Sequence, residues 1–303
     1  MDNLLYLMLL LALGYLSPRL PAFPENTPQV LNQYVIWISF PATVLLKLNG
    51  LAFDAGLLVL ALVPWTLVFL SIGAVFLISR ALGWDRPLTG AVLLSVALGN
   101  TSFFGFPAVA AFWGEQSLKY AILYDQLGSF LAVATFGTIV MSVYGNTSRV
   151  TLKIILSRIL GFPPFAALVL GIVLARVPLP ATCLLVLQGL AATLIPLVIF
   201  SVGSQLRFRQ PLSNVGPILI TMGLKMIVSP MIAMGLLLLF GISGPVYQVA
   251  VFEAAMPSMV MAGILASAGN LRADVANAAI GYGILFSFVT LPFFYWLISR
   301  SWQ

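Results

Sequence analysis

Two carboxylates, an amide and an ammonium stand inside apolar runs of this chain, where strongly polar side chains are rare. Asp125 and Glu253 each lie eight residues into such a run, Asn100 lies mid-run, and Lys225 lies well inside another. At a helical rise of about 1.5 Å per residue, each carboxylate sits about 12 Å in, approaching the middle of a hydrocarbon core about 30 Å thick. An ionisable group at that depth costs roughly 3 kcal/mol on insertion scales, so it faces a cavity or a partner. Asn100, Thr101, Asp125, Gln126 and Glu253 supply oxygens of the kind that hold Na⁺, and the carboxylates among them can relay a proton. The structural alternative is that Asp125 and Glu253 are satisfied by nearby hydroxyls and only glue helices together. Lys225 either snorkels inward or pairs with one of the carboxylates.

Asn100, Thr101 and Glu253 lie at two interruptions. Gly99-Asn100-Thr101-Ser102-Phe103-Phe104-Gly105-Phe106-Pro107 breaks one apolar segment, and Glu253-Ala254-Ala255-Met256-Pro257-Ser258-Met259-Val260-Met261-Ala262-Gly263 breaks a second. Proline removes a backbone donor and clashes with the preceding turn, so each segment is expected to unwind there. In lipid, unwound backbone survives only where protein buries it or where it lines a cavity. Broken segments at matching places in two halves point to a secondary transporter's substrate site. Half-helices starting near Pro107 and Pro257 would aim free N–H groups and positive dipole ends at an anion.

The elements that must position these groups are membrane helices. Of 303 residues, 61% are hydrophobic and 7% charged, against about 25% charged in a soluble domain. Ten spans are expected, at about 3–20, 29–49, 56–82, 87–112, 117–144, 154–175, 182–206, 215–240, 245–268 and 273–300. The first of these resembles a signal peptide's core but lacks a basic leader, and is read as a span. With one cysteine, Cys183, and no histidine, an intrachain disulfide is excluded and a zinc site implausible. No nucleophile–base pair is visible, so the chain is not read as an enzyme, and no cofactor is expected. The net charge of +6 is scattered singly between apolar runs, which argues against nucleic acid and for orientation in a bilayer.

If the amino terminus is outside, Arg19, Arg80, Arg86, Arg149, Lys153, Arg158, Arg207, Arg209 and Arg272 fall inside, against Lys47, Lys119, Arg176 and Arg300 outside. That bias places both termini outside the cytoplasm of a multi-pass plasma-membrane protein, a bacterial inner membrane being the expected one. The halves repeat. Leu11, Leu13, Gly14, Arg19 and Pro21 recur in spacing as Leu168, Leu170, Gly171, Arg176 and Pro178; Pro41 and Phe53 recur as Pro196 and Phe208; Pro107 answers Pro257. Five spans per half is odd, so the second half enters the membrane upside down. The fold class is therefore all-α, two inverted five-helix repeats (1–146 and 147–303) with broken, crossing helices 4 and 9.

Asn100-Thr101 with Gly105 and Pro107, Tyr124-Asp125-Gln126-Leu127-Gly128, and Ala255-Met256-Pro257-Ser258 together resemble the auxin efflux carrier family, in its bacterial branch. Plant PIN carriers are its better-known members, and bile acid sodium symporters are more distantly similar. The resemblance implies a scaffold of helices 1, 2, 6 and 7 and a moving transport domain of helices 3–5 and 8–10. It implies that the broken helices cross at their prolines. In the bile acid symporters a glutamate just before the ninth-helix crossover binds Na⁺, and Glu253 falls in a comparable place.

The expected function is transport of a small organic anion, a carboxylate, by elevator-like alternating access. Asn100, Thr101, Ser102, Gly105, Pro107, Pro257, Ser258 and Met259 are the expected substrate contacts. Asn100, Asp125, Gln126 and Glu253 are the expected coupling residues for Na⁺ or H⁺, with Lys225 as a charge partner and no other metal. The partners are the anion, the bilayer and a second copy in a homodimer. The alternatives are a sodium-coupled, bile-acid-like symporter and a membrane sensor that binds a ligand without moving it.

Overall fold

The computed structural model describes residues 2–51, 55–145, 151–206 and 214–300. Phe53 and Phe208 of the repeat, Arg149, Arg207 and Arg209 of the charge pattern, and the expected boundary between halves at 146–147 lie outside the described residues. Among those described the chain is helical, and its one β-type pairing is an isolated bridge between Gly99 and Ser258.

In chain order the helices are α1 (Asp2–Leu16), α2 (Thr27–Leu48), α3 (Gly56–Ala81), α4 (Arg86–Ala97), α5 (Thr101–Trp113), α6 (Glu115–Tyr144) and α7 (Leu152–Leu160). Then follow α8 (Pro163–Val173), α9 (Ala181–Ser204), α10 (Val215–Leu239), α11 (Gly244–Ala254), α12 (Val260–Ala268) and α13 (Ala273–Arg300). Six of them, α2, α3, α6, α9, α10 and α13, are long and apolar enough to cross a membrane. Helices α7 and α8 qualify only together, bent by 66°. The expected sixth span therefore starts as a separate short helix. Pro163 and Pro164 open α8, and Pro163 cannot donate into the turn before it.

Turn chemistry fixes the helix ends nearest the interruptions. Asp85 caps α4, its Oδ1 accepting from the Leu88 N–H at 2.8 Å, with Pro87 in the first turn. Gly83 and Gly114 adopt φ of +65° and +81° in the connections before α4 and after α5, conformations that favour glycine.

The chain packs as two compact units. The first comprises residues 1–55, 102–122 and 156–206. In it α1 runs against α9 by way of two glycines: a Cβ on Gly14 would overlap the Phe200 carbonyl, and one on Gly203 the Leu11 carbonyl. Such close approach of backbones is how membrane helices gain packing energy without a hydrophobic drive. Helices α2 and α9 are joined by hydroxyls, Ser39 Oγ to Thr193 Oγ1 at 2.6 Å, and Ser201 Oγ donates to Asn32 Oδ1 at 2.7 Å. Lys47 on α2 pairs with Glu115 at 2.9 Å on the rim of a cavity of about 650 Å³ that Thr43, Gln188 and Ile195 also line.

The second unit comprises residues 56–101, 123–155 and 207–303. Its core is α4 and α12 with Val75 of α3 and α13: Val92, Leu94, Val96, Ala262, Ala266, Val275 and Ala278 are buried together. Arg272 donates to Asn214 Oδ1 at 2.6 Å and to Asp274 Oδ2 at 2.7 Å, and thereby ties the α12–α13 turn to the residue before α10.

Candidate functional site

Within the second unit, the chain leaves helical geometry at 98–100 after α4 and at 255–259 after α11. The two extended stretches run antiparallel. The Asn100 N–H donates to the Pro257 carbonyl at 2.8 Å, and the Met259 N–H to the Leu98 carbonyl at 2.9 Å. The Ser258 hydroxyl adds a third tie, donating to the Ser95 carbonyl at 2.7 Å. Buried backbone must be paired, and each break supplies the partner that the other has lost. The carboxyl ends of α4 and α11, which carry the negative ends of their dipoles, lead into this crossing.

One break differs from its expected place. In the fourth expected span the unwound residues are 98–100, and helical structure resumes at Thr101 as a wide π turn over Thr101–Gly105. Pro107 therefore sits inside the first turns of α5 rather than at its start. There it closely follows the π turn, where the regular i→i−4 ladder is already interrupted. In the ninth expected span Pro257 does lie in the break, and α12 starts three residues later at Val260.

The side chains around the crossing divide into bonded and unbonded groups. Asp125 is buried and held: Thr101 Oγ1 donates to its Oδ1 at 2.5 Å, and Gln126 Nε2 to its Oδ2 at 2.7 Å. Glu253, 0% exposed on the last turn of α11, has no hydrogen-bond partner among the described residues at either carboxylate oxygen. Asn100 Nδ2 and Gln126 Oε1 are likewise buried without a partner among the described residues. Lys225, 4% exposed, makes no ion pair among the described residues. Its Nζ lies 2.8 Å from where a Cβ on Gly99 would stand, so it rests against the break itself. The charged neighbours acting on Glu253 are Asp125 and Lys225, and Tyr124 feels its charge.

The second unit thus brings together Asn100, Thr101, Asp125, Gln126, Lys225, Glu253, Pro257, Ser258 and Met259. Ser102, Gly105 and Pro107 belong to the stretch that packs with the first unit: Gly105 and Pro107 are buried, and Ser102 partly so. Ser258 has its hydroxyl proton committed to Ser95, which leaves it an acceptor towards any ligand. Three contributors escaped the sequence reading. Gly99 makes the space for the Lys225 ammonium, Ser95 receives Ser258, and Trp65 donates its indole N–H to the Leu127 carbonyl at 3.0 Å. Of these only Gly99 left a trace, as the glycine opening the break.

Such an arrangement can hold a small cation or proton on Glu253 and offer Asn100 as a donor, while Asp125 is already engaged. Among the described residues no cluster of three histidine, cysteine or carboxylate side chains gathers to hold a metal ion.

A family model described as membrane transport protein matches residues 1–295. This chain is a member of the auxin efflux carrier family. Among its curated relatives is an uncharacterized transporter of Methanothermobacter thermautotrophicus, 29% identical over 295 residues, covering 96% of both chains. Another is an uncharacterized transporter of Methanocaldococcus jannaschii, 29% identical over 309 residues, covering 98% of both. The auxin efflux carrier family is one of membrane transporters, and the apolar helices of this member fit a multi-pass membrane protein.

Proposed function

We propose that the chain is a secondary transporter of a small organic anion, a carboxylate, that works by elevator-like alternating access coupled to Na⁺ or H⁺. The observation that carries this reading is the crossing: 98–100 paired with 257–259, beside a buried Glu253 carboxylate and a buried Asn100 Nδ2 that the described residues leave unbonded. Unwound backbone with free polar groups at membrane depth is the form that carrier sites take.

In this reading the six long helices, α1, the bent pair α7–α8 and the broken pairs α4–α5 and α11–α12 make two inverted repeats of five spans, termini outside. Helices 1, 2, 6 and 7 form the scaffold, and a second copy joins through it. That joining is supported by the first half of α9, Ala181–Ala192, which buries none of its residues. The coupling ion rests on Glu253. An ionised carboxylate kept out of water without a partner costs several kcal/mol, so it carries a proton or meets a cation as the cycle turns. That same observation favours cation-coupled symport as the second reading.

The test is uptake of labelled mono- and dicarboxylates into proteoliposomes under imposed Na⁺ or pH gradients. Carrier-dependent flux supports transport; binding without flux identifies a sensor. Glu253→Gln should insert and fold, yet flatten the dependence of flux on the coupling gradient. Asp125→Asn should lower flux by disturbing the Thr101 contact, a charge-assisted bond worth about 1.5–3 kcal/mol. Unchanged ion dependence in Glu253→Gln would remove the coupling site.

A further inference from the structure

Asp125 opens a π turn over Asp125–Ser129 in the middle of α6. Wide turns of this kind are rare and need support, because they leave the regular i→i−4 ladder. The support here comes from two adjacent residues of α3. The ring of Pro64 lies so close to Gly128 that any Cβ there would overlap its Cγ. Next to it, the Trp65 indole N–H donates to the Leu127 carbonyl inside the same turn at 3.0 Å. Proline in the interior of α3 has no N–H of its own to pair, and its ring fills the notch that the glycine leaves.

We propose that Pro64 and Trp65 are positioning residues for the site: they clamp the π turn of α6 and so set the Asp125 carboxylate on Thr101 at the helix break. The mechanism is register. Relaxing a π turn to an α turn displaces neighbouring residues by one position, about 100° and 1.5 Å along the axis. Asp125 stands at the first residue of the turn, and its 2.5 Å bond to Thr101 cannot survive that displacement. Trp65 therefore acts through the Leu127 carbonyl, without touching ion or anion.

The functional consequence rests on the transporter reading above, and the experiment separates the two. β-(3-benzothienyl)alanine in place of Trp65 keeps the ring shape and removes the N–H, whereas 5-fluorotryptophan keeps the N–H. Hydrogen exchange over 125–133 in the purified full chain reads the turn directly and needs no flux. The benzothienyl variant should exchange there faster by about fivefold to tenfold, the loss expected for one net hydrogen bond, and the fluoro variant should match the natural chain. In proteoliposomes the benzothienyl variant should shift the pH and Na⁺ profile of flux in the same direction as Asp125→Asn, with 5-fluorotryptophan restoring it. Gly128→Ala should reproduce the defect, and adding Pro64→Gly, which removes both ring carbons that the new Cβ would meet, should relieve it by opening space. Exchange and ion profile both unchanged without the N–H, or no relief in the Pro64→Gly/Gly128→Ala pair, overturns the clamp. Absence of flux in the natural chain sinks the transporter reading and leaves the exchange result to decide the clamp.

Discussion

Asn100 Nδ2 is buried at the crossing with no hydrogen-bond partner among the described residues, and Lys225 beside the break makes no ion pair among them. Asn100 uses its backbone N–H to hold the crossing and keeps its amide for something else. Asn100→Ala should therefore leave the fold intact and weaken anion binding roughly ten- to hundredfold, measured by calorimetry on the purified protein. Gly99→Ala tests the neighbouring position. Its Cβ would stand 2.8 Å from Lys225 Nζ, so the ammonium must move along its flexible stem. The expected outcome is near-normal thermal stability with an altered ion or pH profile of uptake. At this scale the sequence was legible in part. Charge inside apolar runs gave away Asp125, Glu253 and Lys225, because insertion in lipid is costly whatever the fold. Hydropathy carries no information on which carboxylate finds donors, so Asp125 and Glu253 looked equivalent until Thr101 and Gln126 were seen on one alone.

Among elements, the long apolar runs were read correctly as helices, while the breaks were read from proline and misplaced where proline is not the cause. Pro257 stands in an extended stretch, but Pro107 stands in the opening turns of α5. The residues that unwind near Pro107 are those whose backbone pairs with the other break, a long-range partnership that no local pattern reports. The bend between α7 and α8 was missed for a different reason: hydropathy runs on through Gly161 and Phe162, although Pro163 and Pro164 mark the break locally. Replacing Pro257 by Ala would restore one N–H without removing the bonds from Asn100 and Met259, so the break itself should outlast that change. Close packing of α1 and α9 is more fragile. Gly14→Val or Gly203→Val would drive a side chain into a facing carbonyl, which cannot retract as a flexible chain end does. Overpacking of this kind costs about 1–3 kcal/mol. Thermal unfolding in detergent should show either variant destabilised, whereas valine at Gly73, with open space around it, should be tolerated.

At the scale of the whole molecule, each compact unit is assembled from three separate stretches, so packing cuts across the two sequence halves. The halves express a pattern of entry into the membrane; the units express which helices share contacts. The stretch 102–122 is where the two descriptions lead to different motions. The expected transport domain includes it, as part of helices 4 and 5, yet it packs with 1–55 and 156–206. Lys47 and Glu115 report on that choice, because their ion pair joins α2 to this stretch at 2.9 Å. The pair is partly exposed, and such bridges contribute at most about 1 kcal/mol, so neutralising it should scarcely change stability. A covalent link is more informative. Cysteines at both positions, with exposed Cys183 changed to Ser, can be joined by a short bifunctional thiol reagent in proteoliposomes. If 102–122 travels with the moving body, the cross-linked protein should lose flux and regain it when a cleavable linker is cut. Full flux through completely cross-linked protein would mean that this stretch stays with the scaffold, and that the moving body is the second unit alone.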